Sequence, residues 1–322
     1  MLAPIAVFAF NRADNLERTL QALSRNALAD KSSVTIFCDG PRTEEERQKT
    51  DAVRRIARAA NGFAEVSVIE RAENLGLKKS LITGITAILE THDRIIVVED
   101  DIFTSPYFLK YMNDALDCYA DVLNVGSVSG YCVKHCCPAP PETFFLRGGE
   151  CWGWATWKDR WQLYTPDGAS LLRELRRRKL TYAFDFDGCC PSTKILEDAI
   201  AGKVDSWFMM WTATLFLRGL YTLYPSRSLV LNIGFASGTH SHNATYPQQE
   251  LAVAPVPVRP QPVEEDTAML REVKRWYRQN MKGTLTQKMG ILLKKTLTSL
   301  RRGGLLATLR KILQYIARNI KK

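Results

Sequence analysis

The sequence predicts an α/β fold built on a mostly parallel, doubly wound sheet. In the first 130 residues, short apolar runs alternate with longer segments whose apolar residues recur at helical spacing. One run, residues 95–98, consists of four β-branched residues, which is typical of a strand buried on both faces of a parallel sheet. Strands that alternate with helices form parallel sheets, because each helix returns the chain to the same starting edge.

The predicted elements follow one another in a regular order. We expect strands at residues 5–10, 34–38, 66–69, 95–98 and 122–128. Helices are expected between them at residues 15–24, 43–60, 78–90 and 106–119. Further along, the pattern predicts a basic helix at residues 171–179, an apolar helix at residues 203–217 and a pair of strands within residues 221–232.

Three carboxylates, Glu99, Asp100 and Asp101, directly follow the most apolar strand. Open α/β sheets bind their ligands at the carboxyl ends of their strands. Because adjacent carboxylates repel each other, such a cluster favours a bound cation. Oxygen-only ligands suit Mg²⁺ or Mn²⁺, which in turn suit a phosphate-bearing substrate such as a nucleotide sugar. The alternative is a solvated acidic turn, or an acid that caps the next helix.

Several familiar catalytic and targeting patterns are missing. There is no Walker A, G-x-G-x-x-G or H-E-x-x-H pattern, and Val128 stands where a hydrolase elbow needs serine. The eight cysteines form no pair of C-x-x-C motifs, so reduced thiols are favoured over a zinc site. The apolar N-terminus is typical of a first strand and not of a signal peptide, and no transmembrane helix is expected.

Four short motifs in the first half resemble those of GT-A fold glycosyltransferases. They are PIAVFAFNR at residues 4–12, FCDG at 37–40, NLGLK at 74–78 and VEDD at 98–101. The Glu-Asp-Asp form of the last motif, with segments 149–154, 204–211 and 225–242, is similar to N-acetylglucosaminyltransferase I. Bacterial family 2 glycosyltransferases with a Trp-Gly-Trp-Ala-Thr-Trp segment are more similar still. The resemblance covers residues 3–242, and the order of the motifs carries it.

This resemblance implies roles for residues of the donor half. Asp101 is implied as the direct ligand of Mn²⁺ or Mg²⁺, together with Asp100, while Asp100 and Glu99 position the ribose, the donor sugar or a metal-bound water. Other implied contacts to the nucleotide sugar lie in three loops: Phe10, Asn11, Arg12, Asp39, Asn74, Gly76 and Lys78. The alternatives are a helix-surface charge for Arg12, an ordinary turn residue for Asp39 and a solvated helix surface for Lys78.

An inverting transfer needs a base that takes the proton of the acceptor hydroxyl. The resemblance offers Asp205 and Glu150, with Asp205 narrowly preferred. A bacterial pattern has its acid where this chain has Phe208, so the correspondence is imperfect. The residues expected to contact the acceptor are Trp152, Gly153, Trp154 and Trp207. For any single tryptophan, packing in the core is the alternative role.

The basic charge of the chain is concentrated at its C-terminal end. The net charge is +10, yet the last fifty residues hold 14 Lys and Arg and no acid after Glu272. Apolar residues recur there at helical spacing, so we expect residues 264–322 to form a basic amphipathic helical tail that binds an anionic membrane surface. A helical hairpin packed on the core or on a second subunit is the alternative, and nucleic acid is less favoured.

These expectations define a domain plan and a function. Residues 1–250 would form a GT-A catalytic domain, with a nucleotide-sugar-binding half at 1–130 and an acceptor-binding half at 131–250. A proline-rich linker would follow at 251–263, before the tail. The expected protein is a metal-dependent, inverting glycosyltransferase at the cytoplasmic face of the cell membrane. It would transfer a sugar from a nucleotide-sugar donor to a glycan or lipid-linked acceptor in cell-surface polysaccharide synthesis. By resemblance only, the nucleotide of the donor is expected to be UDP.

Two other functions remain open at this point. A sugar nucleotidyltransferase shares the sheet and the metal, but it needs a glycine-rich basic loop after the first strand. Residues 11–14 contain no glycine, so this function ranks lower. The third candidate is a non-catalytic protein that binds a membrane or nucleic acid and keeps a degenerate site. Such a protein would bind no nucleotide sugar and would associate through its tail in a salt-dependent manner.

Overall fold

The computed structural model describes residues 1–234 and 250–280. Its strands are β1 (Ile5–Ala9), β2 (Ser33–Cys38), β3 (Glu65–Glu70), β4 (Arg94–Glu99), β5 (Ile102–Thr104), β6 (Val125–Ser129), β7 (Thr143–Arg147), β8 (Trp154–Trp157), β9 (Tyr221–Pro225) and β10 (Val230–Asn232). Its helices are α1 (Ala13–Ser24), α2 (Glu44–Arg58), α3 (Gly76–Thr91), α4 (Phe108–Cys118), α5 (Lys158–Trp161), α6 (Gly168–Arg177), α7 (Thr181–Phe184), α8 (Ser192–Ile200), α9 (Phe208–Leu217) and α10 (Thr267–Asn280). The described residues up to 276 belong to one compact unit, and residues 277–280 belong to a second.

The central sheet has eight strands in the order β3-β2-β1-β4-β8-β6-β9-β7. Its first four strands are parallel, since β1 pairs with both β2 and β4, and β3 pairs with β2. The chain thus builds outward from β1 to β3 and then crosses back to place β4 on the other side of β1. This reversal is a topological switch point, the place where open α/β sheets bind ligands. The predicted α/β fold with a mostly parallel sheet is confirmed.

An antiparallel strand joins the two halves of the sheet. Strand β8 pairs with β4 on one side and with β6 on the other. In this register, Val97 of β4 faces Trp154, the first residue of β8. Because the two strands run in opposite directions, the residues that precede β8 lie beside the residues that follow β4. The Gly-Trp segment at 149–154 is therefore brought next to the acidic cluster.

Most predicted elements are present within a few residues of their expected bounds, but two predictions in the second half are wrong. The apolar helix begins at Phe208 and not at residue 203, so Asp205 lies in a loop. The helix starts late because Gly202 has φ +68° and the Ser206 hydroxyl accepts a hydrogen bond from Met209 N, an N-terminal capping contact. The strands within 221–232 do not pair with each other: β9 joins the central sheet and β10 pairs with β5.

A cluster of aromatic side chains fills the core between β8, α5 and α9. Trp154 packs against Trp161, Trp207 and Trp211 with ring centroids 5.3–6.0 Å apart. All four of these side chains are buried. Aromatic rings of this size contribute large amounts of buried apolar area, so the cluster anchors α5 and α9 against the sheet.

The segment predicted as a proline-rich linker, residues 251–263, packs within the first compact unit. Ala252 is buried, and its backbone carbonyl accepts a 2.7 Å hydrogen bond from the Ser105 hydroxyl. The Tyr119 hydroxyl donates to Arg259 O, and Gln261 Nε2 donates to Thr143 O. Within the described residues, no helix combines the length and apolar character needed to cross a membrane. The predicted tail is described only as far as residue 280; its remainder lies outside the described residues.

Candidate active site

The loops that follow β1 and β4 meet at the switch point of the sheet. Arg12, from the first loop, forms ion pairs with both Asp100 and Asp101 of the second; its Nη1 lies 2.8 Å from Asp101 Oδ2. The two acids are nearly buried, and Arg12 is partly exposed. One guanidinium therefore offsets the charge of two adjacent carboxylates, which are costly to bury without a cation.

Neighbouring elements fix the acidic cluster in place. Asp100 N donates to Phe8 O of β1, which extends the parallel pairing by one residue. The backbone carbonyl of Asp101 accepts a 2.8 Å hydrogen bond from Ile233 N, just after β10. A Cβ at Gly234 would clash with the Asp101 carboxylate and would lie 2.8 Å from Arg12 Nη1. Residues 233 and 234 carry no sequence signal for this site, because only the pairing of β10 with β5 brings them there.

Burial makes this cluster electrostatically strained. It raises the pKa of Glu99 to about 8, with further contributions from the charges of Asp101 and Asp100. Burial likewise raises the pKa of Asp100 to about 6, although the nearby Arg12 charge opposes the shift. Burial lowers the pKa of the Arg12 guanidinium, but the charges of Asp100 and Asp101 outweigh this, so its pKa is raised. A site that strains carboxylates in this way favours a ligand that brings positive charge.

The donor set fits a hard divalent cation that is shared with a substrate. Within the residues that the structure describes, no group of three or more His, Cys, Asp or Glu side chains is arranged to hold a metal alone. Mg²⁺ and similar ions, however, are commonly bound by one or two carboxylates together with substrate phosphates and water. Asp100 and Asp101 provide such a pair, with oxygen atoms only.

One buried threonine supports the cluster from α1, and its removal gives a first testable prediction. The fully buried Thr19 hydroxyl donates a 2.9 Å hydrogen bond to the backbone carbonyl of Asp100. Thr19→Val keeps the shape but leaves that carbonyl unpaired, so we expect the free energy of unfolding to fall by about 1–3 kcal/mol. Urea unfolding measures this loss, with Thr19→Ser, which keeps the hydroxyl, as the matched control. A valine variant as stable as wild type would contradict the assignment.

Asp39 organises the second loop cluster, at the carboxyl end of β2. This buried carboxylate accepts hydrogen bonds from Leu75 N at 2.9 Å, Gly76 N at 3.1 Å and Asn74 Nδ2 at 3.1 Å. Asn74 Nδ2 also donates to Gly40 O at 2.9 Å, which ties the loops after β2 and β3 together. The structure thus brings together Asp39, Asn74 and Gly76, three of the predicted donor contacts, through hydrogen bonds among themselves.

An open cleft lies beside this loop cluster. Its volume is about 520 Å³, and its lining includes Arg42, Arg47, Glu73 and Asn74. The Arg42 guanidinium lies over the Phe10 ring, 4.7 Å from the centroid, in a cation–π contact. Phe10 and Asn74 were predicted from the sequence, but Arg42 was not, because a charge just before a polar helix carries no distinguishing signal.

Glu150 lies in the segment that β8 brings beside the acidic cluster. Burial raises the pKa of this carboxyl to about 7, against the effect of the hydrogen bond that Cys151 N donates to it at 2.9 Å. Burial also raises the pKa of the neighbouring Cys151 thiol, and the charges of Glu150, Glu99 and Asp101 add to that shift. Cys151 therefore lies in the electrostatic field of both the Glu150 carboxylate and the acidic cluster. A carboxyl group with a pKa near 7 suits proton transfer at neutral pH.

The structure places Asp205, the base preferred from the sequence, beside the start of α3. Its side chain is exposed, and its Oδ2 accepts a hydrogen bond from Lys78 N at the start of α3, at 3.4 Å. This contact places Asp205 beside the loop at 74–78, at the N-terminal end of α3.

Three of the four residues predicted to contact the acceptor have structural roles instead. Trp154 and Trp207 are 0% and 2% exposed and stack on each other in the aromatic core, so neither reaches an acceptor. Gly153 is required by the backbone: its φ is +59°, and a Cβ there would lie 2.8 Å from Val230 Cγ1. Trp152 is half-buried and packs edge-on against Tyr131, with centroids 4.6 Å apart. It remains the candidate acceptor contact.

Comparison with known proteins adds partial structural likenesses. No protein-family model and no curated protein matches this sequence. Among solved structures, similarity is found to the mannosyltransferase PcManGT from Pyrobaculum calidifontis in complex with GDP-Man and Mn²⁺, at 25% identity and a TM-score of 0.31. That likeness covers 42% of this chain and 36% of the other, so this chain spans little more than a third of its length.

Two further solved structures are similar to part of the chain. Residues 1–349 of S. aureus TarS match at 14% identity and a TM-score of 0.30, covering 48% of this chain and 47% of that one. A UDP-glucose pyrophosphorylase complexed with UDP-glucose matches at 10% identity and a TM-score of 0.31, covering 51% of this chain and 79% of that one. At such TM-scores these likenesses carry no functional argument.

Proposed function

We propose that this protein is a metal-dependent glycosyltransferase that takes its sugar from a nucleotide-sugar donor. The observation that carries the proposal is the convergence of Arg12, Asp100 and Asp101 at the switch point of the sheet, beside the segment that holds Glu150. A diphosphate bound there would meet a cation and a metal-competent carboxylate pair on one side. On the other side lies a titratable carboxyl group with a pKa near 7.

Asp101 and Asp100 are the residues that would hold Mn²⁺ or Mg²⁺. The bound ion would act as a Lewis acid that stabilises the negative charge of the leaving nucleoside diphosphate. Arg12 provides a fixed positive charge next to the same carboxylates, and a guanidinium matches phosphate oxygens in a bidentate manner. Its partial exposure leaves it accessible to a donor.

Glu150 replaces Asp205 as the proposed catalytic base. An inverting transfer requires a base on the acceptor side that removes the proton of the attacking hydroxyl. Glu150 is half-buried beside the acidic cluster, and its pKa of about 7 keeps it proton-accepting at neutral pH. Asp205, by contrast, accepts a hydrogen bond from Lys78 N at the N-terminal end of α3. Trp152 would contact the acceptor sugar with the exposed part of its ring.

The donor nucleotide is proposed to lie along the loops at 10–12, 39–40 and 74–78. Asp39 shapes this surface by fixing the backbone of the third loop. Lys78, half-buried in the first turn of α3, would face the phosphates with its ammonium group. UDP is the favoured nucleotide by resemblance, and Phe10, Asn11 and the open cleft beside Arg42 are where its nucleoside would bind.

The acceptor and the cellular location remain proposals based on the C-terminal sequence. The basic segment that follows α10 would hold the enzyme at the inner face of the cell membrane, where lipid-linked acceptors and glycan precursors are available. Its charge pattern belongs to residues outside the described part of the chain, so the proposal rests on sequence alone.

A ligand panel with product analysis tests the function. We expect one nucleotide sugar to raise the melting temperature of the purified protein only when Mn²⁺ is present, because a ligand that binds the folded state stabilises it. Turnover with that donor should release a nucleoside diphosphate. Release of pyrophosphate on supplying a sugar phosphate and a nucleoside triphosphate would instead identify a nucleotidyltransferase. No shift with any donor, with or without Mn²⁺, would contradict the proposal.

A further inference from the structure

Helix α3 receives no cap from its own N-cap residue. That residue is Leu75, whose side chain cannot accept a hydrogen bond, and the local contact at this end is Asn74 Oδ1, which accepts from Gly76 N at 3.1 Å. The first backbone N–H groups of an α-helix have no partner within the helix, so they require acceptors from elsewhere. In this 16-residue helix the first turn carries no acidic residue, and the usual sequence signal of a helix start is missing.

Two distant carboxylates provide the missing acceptors. Asp39, from the end of β2, accepts from Leu75 N and Gly76 N. Asp205, from the loop between α8 and α9, accepts from Lys78 N at the third helical position. Negative charge at a helix N-terminus is favourable, because the aligned peptide dipoles leave partial positive charge there. The two carboxylates therefore share the capping of one helix end.

The local backbone accommodates Asp205 at that end. Gly76 has φ +74°, and a Cβ there would lie 3.3 Å from Asp205 Oδ2, so both conformation and space favour glycine. Two residues after Asp205, the Trp207 side chain is buried and stacks on Trp154 with centroids 5.3 Å apart. The loop that carries Asp205 is thus anchored at its C-terminal side in the aromatic core of the acceptor half.

We propose that Asp205 is a positioning residue that caps α3 and thereby fixes the donor loop at 74–78 against the acceptor half of the protein. Its partner, Lys78 N, is 127 positions away in the sequence, so the contact joins the two halves across the site. Asp205 acts on the donor through this loop and takes no proton from the acceptor. The kinetic part of this inference rests on the proposed function; the capping part does not.

Two variants separate capping from base catalysis. Asn caps helices about as well as Asp and keeps the length of the side chain, whereas Ala does not cap. Asp205→Ala is therefore expected to lower the melting temperature by about 2–4 °C, with Asp205→Asn close to wild type. Amide hydrogen exchange at residues 76–79 should accelerate in the alanine variant alone. Asp121→Ala, at an exposed position after α4, is the matched control.

Kinetics complete the test. For the alanine variant we expect the donor KM to rise severalfold, while kcat stays within about threefold and the pH profile keeps its shape. The asparagine variant should restore the donor KM. A loss of kcat of about 10²-fold or more in both variants would overturn the inference and assign a catalytic base. Equal stability and exchange in all variants would overturn the capping role, even if no donor is found and the proposed function fails.

Discussion

Replacing Glu150 with Gln is expected to lower kcat by about 10²–10⁴-fold, the usual contribution of a positioned general base. Glutamine keeps the size of the side chain, and its oxygen can still accept the hydrogen bond from Cys151 N. The change therefore removes proton acceptance with little structural disturbance. Steady-state kinetics with saturating donor and acceptor measure the effect. Glu142→Gln, at an exposed position just before β7, is the matched control and should behave as wild type.

The pH dependence gives Glu150 a second signature. A base acts in its ionised form, so kcat/KM of the wild type should fall about tenfold per pH unit below a pKa of about 7 and level off above it. In the Glu150→Gln variant, kcat/KM should no longer show this fall at low pH. An unchanged pH profile, or an activity within a few-fold of wild type, would rule out Glu150 as the base.

Ionisation of Glu150 should also affect the free energy of unfolding. As the pH rises, activity should increase, whereas the stability that depends on Glu150 should decrease. Because burial raises the folded-state pKa of Glu150 from 4.5 to about 7, the fold favours the neutral carboxyl group. The stability associated with that neutral form is fully present below the unfolded-state pKa and is lost as the pH rises through about 7. Glutamine stays neutral, so the variant should be more stable than wild type above pH 7, as measured by chemical denaturation at several pH values.

Replacing Asp101 with Asn is expected to abolish the metal-dependent part of donor binding and to lower transfer by about 10³-fold. A Lewis-acidic metal contributes several kcal/mol to stabilising the transition state, and each 1.36 kcal/mol corresponds to a factor of ten in rate. Asparagine is nearly isosteric and leaves Asp100 paired with Arg12. The variant should therefore fold normally in the absence of ligand.

Thermal shift with Mn²⁺ and the donor, followed by transfer assays, measures the effect of Asp101→Asn. The matched control is Asp117→Asn, a largely exposed aspartate that pairs with Arg94, at the opposite end of β4 from the acidic cluster. Wild-type activity in the Asp101 variant, or full activity of the wild type after chelation of divalent ions, would contradict a metal role for this cluster. A similar loss in the control variant would show that the effect is not specific to the site.

Much of the candidate site follows from local sequence, and the rest depends on contacts between distant segments. The acidic cluster was predictable because an apolar strand and the polar residues after it are adjacent in the chain. The ion pairs of Arg12 were not, since they join residues 88 and 89 positions apart. Asp39 and Asn74 were predicted as donor contacts, yet the structure shows that they hold each other and the start of α3.

Residues 131–250 show the limits of sequence patterns most clearly. A Trp-rich segment is compatible with both a sugar platform and a core, because burial depends on what packs over each ring. Trp154 and Trp207 are core residues because β8 pairs with β4 and because Trp207, just before α9, stacks on Trp154. The same strand placement brought Glu150 beside the acidic cluster, whereas Asp205 lies at the N-terminal end of α3.

The sequence by itself determined the alternating strands and helices, the parallel first half of the sheet and the acidic end of β4. These features depend on periodicity and on neighbouring residues, which local physical chemistry controls. The tertiary structure was needed to bring Glu150 beside the acidic cluster, to bury Trp154 and Trp207 and to place two distant carboxylates at the start of α3. Those outcomes depend on strand order and register, and the insertion of antiparallel β8 between β4 and β6 fixed them through contacts that no local pattern encodes.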